Sequence, residues 1–376
     1  MPTYLDYNAS APIDERVLER MVEVYKYSFG NADSRTHIFG TTAKEIVAQS
    51  RSEISEILKV DKTDLIFTSG STESNNIATI GMLQHALCSG RNHFITTSIE
   101  HKAILEPMKR LAEQGCVVDF VDPDESGRVK AEDILNKVTD KTLLVSVMHV
   151  NSETGIIQPV QEIGEALANT NTYFHVDATQ SFGKMNANIR NLKYDMLSFT
   201  GHKFGGPQGI GGLVIRRGSD YKRPPTTPLF YGGQQERGRR PGTTPVALVA
   251  GLALAARLCE DEHLELSEKC SKIKAAFMDA IKHLDYKING DPQYCISGTI
   301  NISFTGVDAE GIFVALKDEY AFSNGSACTS GSFSPSYVLS AMGLSEDRIA
   351  SAIRLSWDGK VNPDFSELVT YIRSII

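Results

Sequence analysis

Between about residues 40 and 245 the chain alternates short apolar runs with longer segments whose hydrophobic positions recur at helical spacing. The runs at 64–68 (DLIFT), 93–97 (HFITT), 117–121 (VVDFV), 143–148 (LLVSVM), 173–176 (YFHV), 196–200 (MLSFT) and 212–215 (GLVI) are rich in β-branched and aromatic residues, and they predict strands. Stretches such as 74–87 and 101–114 read as the helices between them. Strand and helix in alternation predict an α/β fold with a mostly parallel central sheet and helices on both faces. The segment 217–240, with Pro224, Pro225, Pro228, Gly232 and Gly233, breaks the alternation and reads as a long loop.

From Pro245 a long helical pattern runs through Ala256 toward Leu284 and leads to a second α+β unit, with strands at 299–304 and 352–356 and a helix near 308–317. A chain of 376 residues exceeds the size at which one core stops growing, so two domains are expected. The expected division is a large domain over 15–245 and a smaller one built from 1–14 and 246–376. An apolar fraction of 41% suffices for packed cores, and a net charge of −8 supplies no general field for nucleic acid, so no direct nucleic-acid binding is expected. The start, MPTYLDYNASAP, lacks the basic and apolar regions of a signal peptide, and no apolar run approaches bilayer length, which makes the cytoplasm the expected location. Six cysteines without a C-x-x-C pair indicate neither a disulfide framework nor a metal site.

Distinctive residues gather where the predicted strands end, the place at which open α/β sheets bind ligands. Asp177 in HVDATQ and Lys203 in SFTGHK are the pairing required by a pyridine cofactor carrying an aldehyde: an amine holds the aldehyde, and a carboxylate keeps the ring nitrogen protonated. The loop FTSGSTESNN at 67–76 leads through Gly70 into a helix, so Ser71 and Thr72 suit either a phosphate or an ordinary helix cap. His101 in SIEHKA could stack on a ring and move protons, or simply cap a helix. Asp177 could also be a buried acid satisfied by backbone N–H groups, and Gln180 lies within reach of a ring hydroxyl. After Lys203 come Gly205, Gly206, Gly209, Gly211 and Gly212, and no P-loop pattern is present. Cys328, within FSNGSACTSGSFSPS, sits in a stretch without apolar periodicity; it is a candidate nucleophile on an exposed, mobile loop, or a fortuitous loop cysteine.

Taken together, YLDYNASAP, FGNADSRTH, TSGSTESNN, EHKA, HVDATQSFGK, SFTGHK, ERGRRPGTTP and SNGSACTS resemble the cysteine desulfurases of the NifS and IscS type, within the aspartate-aminotransferase fold family of pyridoxal-phosphate enzymes. The resemblance runs from Tyr4 to the last helix. It implies pyridoxal 5′-phosphate held by Lys203, with Asp177 at the ring nitrogen, His101 on the ring face and Gln180 at the ring oxygen. Ser71, Thr72, Thr200 and His202 would hold the phosphate, together with Thr243 from a second subunit of a homodimer. Arg354 would bind the carboxylate of L-cysteine, aided by Asn151 and Ser152, and Cys328 would accept sulfur as a persulfide and pass it to an acceptor protein.

Two departures accompany the likeness: HVNSE replaces the usual HVNNE at Ser152, and the chain stops at Ile376 without the extension by which some relatives engage an iron–sulfur scaffold. The loop SNGSACTSG is similar to the longer active-site loop of the family and unlike the shorter SufS kind. SRTH at 34–37, RRPGT at 239–243 and RLSW at 354–357 resemble the branch that supplies sulfur for DNA phosphorothioation, while iron–sulfur cluster assembly and tRNA thiolation would use the same persulfide. A selenocysteine lyase or an aminotransferase of the same fold would need Lys203 and Asp177 without Cys328, and a catalytically silent scaffold would bind no cofactor.

Overall fold

The computed structural model describes residues 2–218, 221–324 and 335–375. Its main sheet has seven strands: β1 (Leu65–Thr68), β2 (His93–Thr97), β3 (Val117–Val121), β4 (Thr142–Met148), β5 (Tyr173–Asp177), β6 (Met196–Thr200) and β7 (Gly211–Ile215). Each lies within one residue of the run that predicts it. The spatial order is β1-β7-β6-β5-β4-β2-β3, parallel except for β7, which runs antiparallel to both β1 and β6.

Strand alternation divides the apolar residues between two cores. Phe67, Val145, Val147, Phe174, Val176, Leu197 and Phe199 pack on one face with α1 (Glu15–Tyr27) and α2 (Ile38–Leu58). Ile66, Phe94, Leu144, Met196 and Leu213 pack on the other with α3 (Ser71–Thr79) and α4 (Lys102–Glu113). Toward the strand ends this second face turns polar while staying buried, through Thr96, Ser146, His175, Asp177, Ser198 and Thr200. The polar row satisfies itself: the His175 ring lies 2.8 Å from the Ser146 hydroxyl and 2.9 Å from that of Ser198.

The long pattern after Pro245 is a single helix, α5 (Val246–Ile281), of 36 residues. At 1.5 Å per residue it spans about 54 Å, long enough to belong to two cores. Its first part contributes Val249, Leu252 and Ala256 to the core under the large sheet. Its last part contributes Cys270, Phe277 and Ile281 to another core, beneath the antiparallel sheet of β8 (Tyr286–Ile288), β9 (Thr299–Phe304) and β10 (Ala352–Ser356). The N-terminal segment joins this smaller sheet: Thr3–Tyr4 pair in parallel with Tyr320–Ala321, and the Leu5 carbonyl accepts from the Ser356 N–H at 2.8 Å. It then crosses to the loop after β6, where the Ala11 and Asp14 N–H groups donate to the carbonyls of His202 and Gly205. Among the described residues no helix is long and apolar enough to cross a membrane.

Phe199 is fully buried and stacks on Phe182 with ring centroids 4.2 Å apart. Phe199→Ala is expected to cost about 3–5 kcal/mol, read as a lower urea midpoint with an unchanged slope. A midpoint equal to that of the parent chain would contradict the packing described.

Candidate active site

The C-terminal ends of β4, β5 and β6 and the first turns of α3 and α4 surround a cavity of about 1070 Å³. Asp177, Lys203, His101, Gln180, Ser71, Thr72, Thr200, His202, Ser152 and Arg354 all line it, although they come from distant parts of the chain.

Asp177 closes β5 with its carboxylate almost fully buried. One oxygen accepts from the Asn75 side-chain amide at 2.7 Å, and the other accepts from the Thr179 N–H at 2.9 Å and from the Thr179 hydroxyl. The remaining oxygen of Asn75 is buried with no hydrogen-bond partner. Carboxylate and amide oxygen together make an acceptor-rich spot that matches a protonated ring nitrogen.

The helix α3 begins three residues before the expected 74–87 segment, because Gly70 takes φ +149° and starts the helix at Ser71. Gly70 provides no side-chain cap, and the N–H groups of Ser71 and Thr72 carry no hydrogen bond among the described residues. A Cβ on Gly70 would lie 3.2 Å from the Thr200 hydroxyl, and one on Gly211 would lie 2.8 Å from the Gly70 Cα. These glycines let β6, β7 and the start of α3 close around one point. Free N–H groups and the helix dipole favour an anion there. Glu73, in the same turn, is occupied by the Ser69 N–H at 2.6 Å and by Arg240 Nε at 2.9 Å. Residues in this seat therefore fit a phosphate at one end of the cavity and a pyridine nitrogen at the other.

Lys203 ends the short helical turn Gly201–Lys203 after β6, and its Nζ donates to the carbonyls of Asn8 at 2.6 Å and Ala9 at 2.7 Å. Gln180 Nε2 donates to the same Asn8 carbonyl at 2.9 Å. His101 is the N-cap of α4, its Nδ1 accepting from the Ala103 N–H at 3.1 Å, so the neutral ring carries its proton on Nε2. Capping and facing the cavity are thus both true of it. Burial holds the His101 pKa below the usual range against the opposing pull of Asp177, and His202 is pushed down to about 4 by burial and then by the Lys203 charge.

Arg354 projects from β10: Nη1 donates to the Ser152 carbonyl at 3.0 Å, and Nη2 to the Asp6 carboxylate at 2.5 Å and the Ser323 hydroxyl at 2.7 Å. Its Nε is buried and finds no partner among the described residues. Asn151, expected at the substrate, is turned into its own loop: its amide donates to the Ile99 carbonyl and accepts from the Glu153 and Thr154 N–H groups, and it does not line the cavity. Thr243 is exposed and also apart from the cavity. Cys328 lies outside the described residues. Sequence reasoning missed Asn8, Asn75, Thr179 and Asp6; the first and last stand inside the quoted YLDYNASAP, where no local periodicity marks a polar residue as part of a distant site.

The chain belongs to the class-V aminotransferase family, whose model matches residues 3–358. Cysteine desulfurase IscS of Rickettsia massiliae (strain Mtu5) is 40% identical over 356 residues, covering 94% of this chain and 86% of that protein. DndA from Streptomyces lividans superposes with a TM-score of 0.83 at 42% identity, over 95% of this chain and 99% of its own. SspA, solved in complex with cysteine, gives a TM-score of 0.83 at 33% identity with the same coverage of 95% and 99%.

His149 and His175 are almost fully buried, and burial pushes both down to about 4. Between pH 6.5 and about 4 the unfolded chain takes up protons that these rings refuse in the fold, so their contribution is complete above 6.5 and is lost as pH falls through that window. Glu100, pushed up to about 8 by burial, opposes them in part: between about 4.5 and 8 the fold keeps a proton that the unfolded chain has lost, so its contribution is gained as pH falls through the same range. With two rings against one carboxyl, the unfolding free energy is expected to drop as pH falls from 6.5 to 4, measured by denaturant titration in the parent chain and in Glu100→Gln; a flat profile in both would show that the rings are protonated in the fold.

Proposed function

We propose that this chain is a pyridoxal-phosphate-dependent cysteine desulfurase, converting L-cysteine to L-alanine and passing the sulfur through Cys328 to an acceptor. The observation that carries the reading is the meeting of Asp177, Lys203 and the uncapped start of α3 around one cavity. Desulfurase relatives at 40% identity and a neighbour solved with cysteine support the same activity.

When bound, pyridoxal phosphate supplies an electron sink that makes the Cα proton of cysteine labile. Asp177 would keep the proton on the ring nitrogen, the His101 imidazole would stand against the ring, and Gln180 would donate to the ring oxygen. Ser71 and Thr72 N–H groups, with Thr200 and His202, hold the phosphate. Arg354 receives the substrate carboxylate, its fork already aimed by Asp6 and Ser152. Lys203 would hold the cofactor through its amine, and that amine would serve as the base for the Cα proton. The Cys328 thiolate attacks the substrate sulfur: an S–S bond forms, the carbon–sulfur bond breaks, and its electron pair goes to carbon, which takes a proton. Cysteine plus enzyme thiol thus becomes alanine plus enzyme persulfide, with no outside oxidant or reductant.

The exposed position of Thr243, together with exposed Phe29, Phe39 and Tyr231, supports a homodimer in which Thr243 completes the partner's phosphate seat. The likeness of SRTH, RRPGT and RLSW to the DNA-phosphorothioation branch supports an acceptor of that pathway, with the reaction in the cytoplasm.

Cys328→Ser is expected to abolish alanine and sulfide release from L-cysteine under reductant while the visible cofactor band is kept; unchanged turnover would point to a lyase or aminotransferase. Arg354→Lys loses the bidentate fork and is expected to raise the KM for cysteine by roughly 10-fold or more, with cofactor content unchanged. A KM equal to that of the parent enzyme would remove Arg354 from the substrate.

A further inference from the structure

A second lysine stands behind the site and has no part in the chemistry above. Lys184 Nζ donates to Gln180 Oε1 at 3.3 Å and to Asn8 Oδ1 at 3.4 Å, and no carboxylate forms an ion pair with it among the described residues. Gln180 and Asn8 are themselves both almost fully buried. Asn8 is the hub on which Lys203 rests: its carbonyl accepts from Lys203 and from Gln180 Nε2, while its own amide donates to the Ser152 carbonyl at 3.1 Å and the Thr299 hydroxyl at 3.0 Å. Lys184 thus touches the side-chain oxygens of Asn8, on which Lys203 rests, and of Gln180, which shares the Asn8 carbonyl with Lys203. A carboxamide beside an ammonium has one tolerable orientation, oxygen toward the charge. The flipped form would set the NH2 group of Gln180 against a buried cation.

We propose that Lys184 is a positioning residue that holds Gln180 Oε1 to itself and so leaves Nε2 to donate one N–H to the Asn8 carbonyl and the other to the cofactor's ring oxygen, which it stabilises as an anion. This rests on the cofactor reading above. Burial pushes Lys184 down to about 8, against Cys270, Asp358 and Cys259, which favour its charge, and Arg354, which opposes it. Lysine charge is therefore retained at neutral pH and is sensitive to its surroundings.

The test is a spectroscopic pH titration of the visible band of the cofactor-loaded enzyme without cysteine. Lys184→Met keeps the length of the side chain and removes both charge and donor. Its midpoint is expected to move upward by about one pH unit, because a less stabilised oxygen anion binds its proton more tightly. Lys184→Arg, which keeps charge and donors, is expected to return the midpoint toward that of the parent enzyme. In the Gln180→Leu background, Lys184→Met is expected to add little further shift. An unmoved midpoint in folded Lys184→Met, or shifts that simply add in the double variant, would overturn the proposal. Should Lys184→Met fail to fold, the Lys184→Arg and Gln180→Leu titrations decide: a Gln180→Leu midpoint equal to that of the parent removes the donor on which the proposal depends. Absence of any visible band in the parent chain after loading with pyridoxal phosphate would instead strike at the cofactor reading.

Discussion

A carboxylate buried at the end of a parallel strand is the constraint around which this protein is arranged. Leaving such a group without partners costs several kcal/mol, and Asp177 receives them from two different directions. Thr179 comes from its own loop, whereas Asn75 comes from α3, so the helix that begins with the uncapped Ser71 and Thr72 is registered against the strand that ends in Asp177. Fixing one distance fixes the other. An anion seat at the start of α3 and an acceptor-rich spot at the end of β5 are thereby spaced by the fold itself, on the same face as the buried, internally bonded row of Ser146, His175 and Ser198.

The lysine obeys a second constraint. Lys203 does not rest on the sheet that carries it; its amine is held by the carbonyls of Asn8 and Ala9, residues that belong by hydrogen bonding to the smaller sheet. Arg354 is tied in the same way, to Asp6 at the N-terminus and to the Ser152 carbonyl from the large-sheet side. Both charged side chains that face the cavity from opposite units are gripped by the first residues of the chain. The N-terminal segment is in this sense the clasp between the two sheets.

Local pattern reveals much of this and conceals the rest for a physical reason. The strands were legible because β-branched and aromatic runs of four to seven residues, covered on both faces, have few other solutions. The seat residues at strand ends, Asp177 and Lys203, were legible because polar side chains following apolar runs have a short list of uses. The beginning of α3 was misplaced to Ser74, since a first turn of Ser, Thr and Glu looks like loop unless the positive φ of Gly70 is known. Asn151 reads as a ligand residue but spends its amide on the turn that it builds. Asn8, Asn75 and Lys184 act through partners far away in the chain, and no window of sequence holds both halves of such a pair.

The clasp also sets the order in which the molecule can become an enzyme. Asn8 meets Ser356 across 348 positions, nearly the full length of the chain. The segment 5–8 therefore cannot take its place on the smaller sheet until β10 has been made. Closing so long a loop is slow compared with forming the local strand–helix units between. The large sheet can condense early and bury Asp177, yet the Asn8 carbonyl that seats the Lys203 amine is not anchored to the smaller sheet until β10 arrives. A fragment lacking β10 would thus carry the surroundings of Asp177 without the Ser356 and Arg354 contacts that fix the segment holding the Lys203 amine.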